Sequence, residues 1–219
     1  VDYFKTKSVE KLSGIEAIAT DMWDPYLSAI KECVPDGESK IVLDKYHVLK
    51  YLGDAVDEVR KEEHKLLTEE DIDLLKGTKY LWLYNEKNIP SKFKEHFDVL
   101  KSLNLKTGRA WAIKELFREF YEYSYAVYAE RFWKKWHNWA THSRLTPIIA
   151  AAKTLGRHIK NIITYFKHPI TNATSEGLNS KIQTIKKQSY GFSNPEHFKM
   201  AIYFHCGGLD LYPVTHGIP

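Results

Sequence analysis

Two short apolar runs, Ile15-Glu16-Ala17-Ile18-Ala19-Thr20 and Ile41-Val42-Leu43, each stop at an aspartate, Asp21 and Asp44. Their length and isoleucine content favour buried strands over helix. Between them Trp23-Asp24-Pro25 opens a helix, with Asp24 expected as the N-cap and Pro25 as the first helical residue. Pro35-Asp36-Gly37 then supplies a turn. Strand, helix, strand is a βαβ unit, so the two strands are expected to run parallel with a right-handed connection. Ligands of open α/β sheets gather at the carboxyl ends of the strands, where both aspartates fall. Each could equally cap the helix that follows it, and for Asp44 capping is the stronger expectation.

Beyond Asp44 the periodicity is helical almost throughout. Residues 46–66 put Val48, Leu52, Val56 and Val59 on one face. Thr68 with Asp71 reads as a capping box for a short helix ending at Gly77, and residues 79–84 fit helix or strand. Pro90 starts a helix with Phe93, Phe97, Leu100 and Leu103 inside. Residues 107–123 carry Trp111, Leu116 and Phe120. Residues 125–142 carry Tyr125, Tyr128, Phe132, Trp136 and Trp139 at helical spacing, expected to be packing, with Arg131, Lys134 and Lys135 opposite. Pro147 opens a helix expected to continue to Phe166, and Asn194-Pro195 opens a last one ending at Cys206. The fold class is therefore mostly α with a small parallel β-sheet of two strands. The open edge of so small a sheet calls for cover by packed helices or another chain.

Charge is unevenly spread. Residues 1–100 hold 15 Lys/Arg against 21 Asp/Glu, whereas residues 101–170 hold 13 against 4. The basic middle points to a polyanion, or to a solvated helical surface. Lys153, Arg157, Lys160 and Lys167 form a basic stripe along the expected helix, the best DNA-facing surface of that region. Two cysteines without C-x-x-C spacing exclude a disulfide framework and a zinc motif, and a reducing cytoplasm is the simplest setting. No stretch has the ~18 apolar residues that a membrane helix needs, so no membrane partner is expected. The ten histidines form no H-E-x-x-H, and neither a Gly-rich phosphate loop nor G-x-S-x-G occurs.

A third carboxylate lies far along the chain. Thr171-Asn172-Ala173-Thr174-Ser175 offers several helix caps, and Glu176 then falls in the first turn, where a carboxylate suits the helix dipole. Leu178, Ile182 and Ile185 mark the apolar face, while Asn179, Lys181, Gln183, Lys186 and Lys187 fill the others. Acidic residues on separate elements can hold divalent ions for phosphoryl transfer, and hard oxygen ligands suit Mg²⁺ or Mn²⁺. A non-catalytic DNA-binding or oligomerisation module, in which Asp21 and Glu176 merely cap, is the alternative.

Three blocks favour the first of these readings. Asp21-Met22-Trp23-Asp24-Pro25-Tyr26, then Asp44-Lys45-Tyr46-His47, then Ser175-Glu176-Gly177-Leu178-Asn179-Ser180-Lys181-Ile182 with Tyr190-Gly191-Phe192, resemble in order the signature blocks of DDE transposases of the ISL-three insertion-sequence family. Ser175 stands where Thr is common in that family, and Lys45-Tyr46 where Arg-Phe is frequent. The resemblance implies a partial RNase H-like α/β core (residues 1–66), an all-helical insertion (67–168) and C-terminal core helices bearing the last acid (169–219). It implies that Asp21 and Glu176 are catalytic metal ligands, that Asp44 and His47 support them, and that Asn179, Lys181, Lys186 and Lys187 face DNA. It further implies a two-metal Mg²⁺ or Mn²⁺ site, transposon-end and target DNA as partners, and a homo-oligomer. A first acid on an upstream strand has no counterpart before Ile15. The chain, which begins at Val1, is thus expected to be a piece of a longer protein and inactive alone.

Overall fold

The strands form where the apolar runs predict them, but shorter. The structure is a computed structural model that describes residues 2–70 and 72–208. Helices α1 (Asp2–Lys5) and α2 (Val9–Ser13) precede β1 (Ile18–Thr20). The Ile15 N–H donates to Leu12 O, so the chain is still completing the α2 turn there, and the strand starts only at Ile18. In α3 (Asp24–Cys33) Trp23 holds the N-cap and Asp24 is already helical, which corrects the expected cap; its carboxylate lies in the first turn, favourable to the dipole. At the turn into α4 (Gly37–Lys40), a Cβ on Gly37 would sit 2.3 Å from Ile30 O, so only glycine allows this close return onto α3. Strand β2 (Ile41–Leu43) pairs parallel with β1, Ile18 opposite Ile41 and Thr20 opposite Leu43, and these two strands make the sheet among the described residues.

The remainder is helical: α5 (Lys45–Glu69), α6 (Lys79–Leu83), α7 (Ser91–Ser102), α8 (Lys106–Phe117), α9 (Ala126–Thr141), α10 (Thr146–Arg157), α11 (Ile159–Ile163), α12 (Ala173–Gln188) and α13 (Pro195–Cys206). Two compact units result, Val1–Thr171 and Asn172–Pro219. In the first, α5 is the axis against which α6, α8 and α10 pack, and α9 lies on α8 and α10. Val48, Leu52, Val56 and Val59 are buried as their spacing predicts, each worth about 1.5–3 kcal/mol on transfer from water. All of β2 is buried, with α11 and the 3-10 turn Thr164–Phe166 against it. Buried Asn161 ties that cover down by donating Nδ2–H to Glu38 O at 2.8 Å. In the second unit α12 packs on α13, the chain reversing through Tyr190 and Gly191, both at positive φ. Phe192 there lies against Phe198, and Asn194 caps α13 by accepting from Glu196 N–H.

Four helical expectations need correction. Thr68 lies inside α5, its hydroxyl donating back to His64 O, so it opens no new helix; Asp71 lies outside the described residues. Phe93 and Leu103 on and after α7 are exposed, leaving Phe97 and Leu100 to make the contact. The inward face of α9 is Ala129, Trp133, Trp136 and Ala140, whereas Tyr125, Tyr128 and Trp139 point to solvent. The helix from Pro147 does not reach Phe166: it breaks at His158 into α10 and α11, just after Gly156 packs under the His137 ring.

Two buried ionic groups terminate helices. Glu63 of α5 accepts from Lys106 N–H (2.7 Å), Thr107 N–H (2.8 Å) and the Thr107 hydroxyl (2.6 Å), capping α8, whose own N-cap Leu105 has no acceptor. Lys114 of α8 donates to Trp82 O, Leu83 O and Tyr84 O, the orphan carbonyls at the end of α6. Glu63→Ala should cost about 2–3 kcal/mol in urea unfolding, and Glu63→Gln, which keeps one acceptor oxygen, distinctly less. Burial pulls Lys114 down to about 8 from the ordinary 10.5, with neighbouring Glu115 opposing. Between those values the unfolded chain binds the extra proton, so stability should rise with pH across that window. Lys114→Met should remove that rise; parallel stability–pH curves for the two proteins would contradict it.

Candidate active site

The site grows from the carboxyl end of the sheet. Asp44 N–H donates to Thr20 O at 3.0 Å, carrying the strand pairing one residue further. The Asp44 side chain then turns the backbone into α5: its Oδ1 accepts from Tyr46 N–H at 2.8 Å and His47 N–H at 3.3 Å. This is the capping role expected of Asp44, performed by a carboxylate that is almost fully buried. The same turn brings the His47 ring back over the strand ends. Its Nδ1 lies 3.5 Å from Asp44 Oδ1 and its Nε2 lies 4.0 Å from Asp21 Oδ2. Asp21 is the open member, its side chain 42% exposed at the wall of a cleft of about 180 Å³.

That cleft is also lined by Met22, Trp23, Lys50, Tyr51 and Asp54. The last three stand three, four and seven residues after His47, on its face of α5. That spacing was available in the sequence, but nothing in their types set them apart from a solvated helix face. Behind Asp44 lies Tyr121, from the 3-10 turn Arg118–Glu122, whose hydroxyl is buried. Burial first, then the Asp44 and Tyr165 charges, push that hydroxyl above its ordinary value and keep it neutral.

Glu176 belongs to the second unit and sits in the first turn of α12, its N–H donating to Asn172 O. Along the helix it shares one polar cleft with Asn179, Ser180, Gln183, Thr184 and Lys187. Lys181 instead lines a different cleft with Ile185, His205 and Cys206, and Lys186 is exposed. Of the expected apolar face, Ile185 is buried and Leu178 is exposed. Lys153 and Arg157 on α10 and Lys160 on α11 are all exposed, with the break at His158 between them.

Among the described residues no group of three or more His, Cys, Asp or Glu is placed to hold a metal ion. No described helix is long and apolar enough to cross a membrane.

The model of the DDE transposase family of the ISL3 type, described as Transposase, matches residues 1–202. The chain belongs to this transposase family. It is similar to the transposase for insertion sequence element IS1001 of Bordetella parapertussis, 26% identical over 86% of this chain and 47% of that protein. It is also similar to the transposase for IS1557 of Mycobacterium tuberculosis, 20% identical over 99% of this chain and 54% of that protein. The chain therefore spans about half the length of these curated relatives. No solved structure matches it. In this chain the Asp44 turn is what juxtaposes His47 and Asp21. Asp44→Ala should cost about 1–2 kcal/mol, and Asp44→Asn, which keeps the capping oxygen, should stay near wild type in thermal unfolding. Equal losses would mean that charge, not the cap, is the stabilising element.

Proposed function

We propose that the protein cleaves and joins DNA strands in transposition, with Asp21 and Glu176 as its catalytic acids and Asp44 and His47 positioning the first of them. The observation that carries this reading is an open carboxylate, Asp21, at the carboxyl end of a parallel βαβ unit, beside a histidine oriented by a buried cap, in a chain of a transposase family. The fold reading that goes with it is an RNase H-like core interrupted by the helices from α6 to α11. The partners are transposon-end and target DNA, and the working form is a homo-oligomer.

Each residue has a task in this scheme. Asp21 and Glu176 supply hard oxygen ligands for Mg²⁺ or Mn²⁺. When bound, such ions activate the attacking oxygen and stabilise the leaving one in phosphoryl transfer. Lys50, in the same cleft as Asp21, offers a positive charge to a phosphate entering it. His47 holds the Asp21 carboxylate from its other side, and Asp44 fixes His47 through the helix start. Asn179, Lys181, Lys186 and Lys187 of α12 contact DNA near Glu176, and Lys153, Arg157 and Lys160 bind its backbone further away.

A strand-cleavage assay on a protein of the relatives' length, with Mg²⁺ and its own element ends, tests the assignment. Asp21→Asn or Glu176→Gln should each lower cleavage at least about a hundredfold while sparing DNA binding, because a misplaced or missing ligand costs that much or more. Replacing Lys153, Arg157 and Lys160 together should instead weaken duplex binding and flatten its salt dependence by about three contacts' worth. Cleavage that survives either acid substitution would sink the catalytic roles.

A further inference from the structure

Helix α9 presents to solvent a surface that neither the core nor the candidate site uses. Tyr128, Arg131, Lys135, Trp139 and His142 follow one another at steps of three and four residues, within an arc of about 80° at 3.6 residues per turn. All five are exposed, Tyr128 to 51% and Trp139 to 44%. The opposite side of α9 carries the packing: Ala129, Trp133, Trp136 and Ala140 are buried, and His137 meets Gly156 of α10. The exposed rings are thus not core residues that missed their place. They belong to a second, outward face.

That face sets two cationic groups between aromatic rings. The Arg131 guanidinium lies 5.8 Å from the Tyr128 ring centre, and the Tyr125 ring stands edge-on to Tyr128 at 6.2 Å. Val127, Lys134 and Asn138 flank the stripe, and Glu130 lies well round the helix from it. Tyr128 and Trp139 are separated by about 16 Å along the axis, at 1.5 Å per residue, with both cations between them. Positive charge for phosphates flanked by flat rings for bases is the surface on which unpaired nucleic acid binds. An intact duplex has both faces of every base already covered, so it gains nothing from such rings.

We propose that this face of α9 binds an unpaired DNA strand, its bases stacking on Tyr128 and Trp139 and its phosphates meeting Arg131 and Lys135. The proposal rests on the transposition reading for its ligand, and it adds a surface for melted or displaced DNA away from Asp21. Such a strand is what a reaction that opens DNA ends leaves to be held.

The test is fluorescence anisotropy of the full chain with a labelled oligothymidylate and, separately, a labelled duplex. Tyr128→Ala and Trp139→Ala should each weaken oligothymidylate binding by about tenfold and leave duplex binding unchanged. Trp139→Phe, which keeps a ring, should stay near wild type. Arg131→Ala with Lys135→Ala should reduce the single-strand salt slope by about 1.4. Since these side chains are exposed, melting temperatures should not move. Ring removal that leaves oligothymidylate affinity intact, or lowers duplex affinity equally, overturns the assignment. So does self-association in sedimentation that these substitutions abolish without touching oligonucleotide affinity, which would give the face to a second copy of the chain. Wild-type protein that binds neither probe at low salt would overturn the DNA reading itself, an outcome separate from the others.

Discussion

One buried carboxylate governs the geometry of the first unit. Asp44 is the last residue to pair across the sheet and the first to direct α5. Its backbone N–H is committed to Thr20 and its Oδ1 to the amides of Tyr46 and His47, the second and third residues of the helix, so strand and helix meet at a fixed angle. A loop at this position would leave those amides to water and the helix direction open. Because the turn is fixed, His47 returns to within 4.0 Å of Asp21 instead of pointing along the helix axis. The placement of the open carboxylate and its neighbour is therefore a consequence of local capping chemistry, reinforced by the burial of Tyr121 behind it.

The long helix that starts there carries this order outward. Nineteen residues after Asp44, Glu63 caps α8, and in the last third of α8 Lys114 closes the end of α6. Both are ionic groups used where a neutral side chain would reach only one of the orphan backbone groups. They let short helices end inside the protein without stranding polar atoms, which is the usual obstacle to packing many helix termini around one axis. With its inward face satisfied by Trp133 and Trp136 against α8 and α10, α9 can present aromatic rings to solvent without weakening the core.

Much of this was legible from the residues. The strands were marked by short isoleucine-bearing runs, their parallel pairing by the intervening helix, and the role of Asp44 by its position before a long apolar periodicity. The three motif blocks carried the family. Aromatic spacing was the weak signal: in residues 125–142 aromatics occur on two faces, and periodicity cannot say which face turns inward. The small residues could have, since Ala129 and Ala140 lie beside Trp133 and Trp136 and let the neighbouring helices approach. The break at His158 was likewise hidden, because apolar residues continue at helical offsets on both sides of it. Lys50, Tyr51 and Asp54 became site residues only once the Asp44 turn set the direction of α5.

The central proposal is that Asp21 is the metal-binding carboxylate at the sheet end. It is tested most directly by titrating Mn²⁺ into the isotope-labelled chain and following paramagnetic broadening of backbone amide signals. The account predicts broadening centred on Met22, Trp23 and His47 that disappears in Asp21→Asn and persists in Asp54→Asn. Broadening that survives Asp21→Asn, or that centres on residues remote from the ends of β1 and β2, would contradict it.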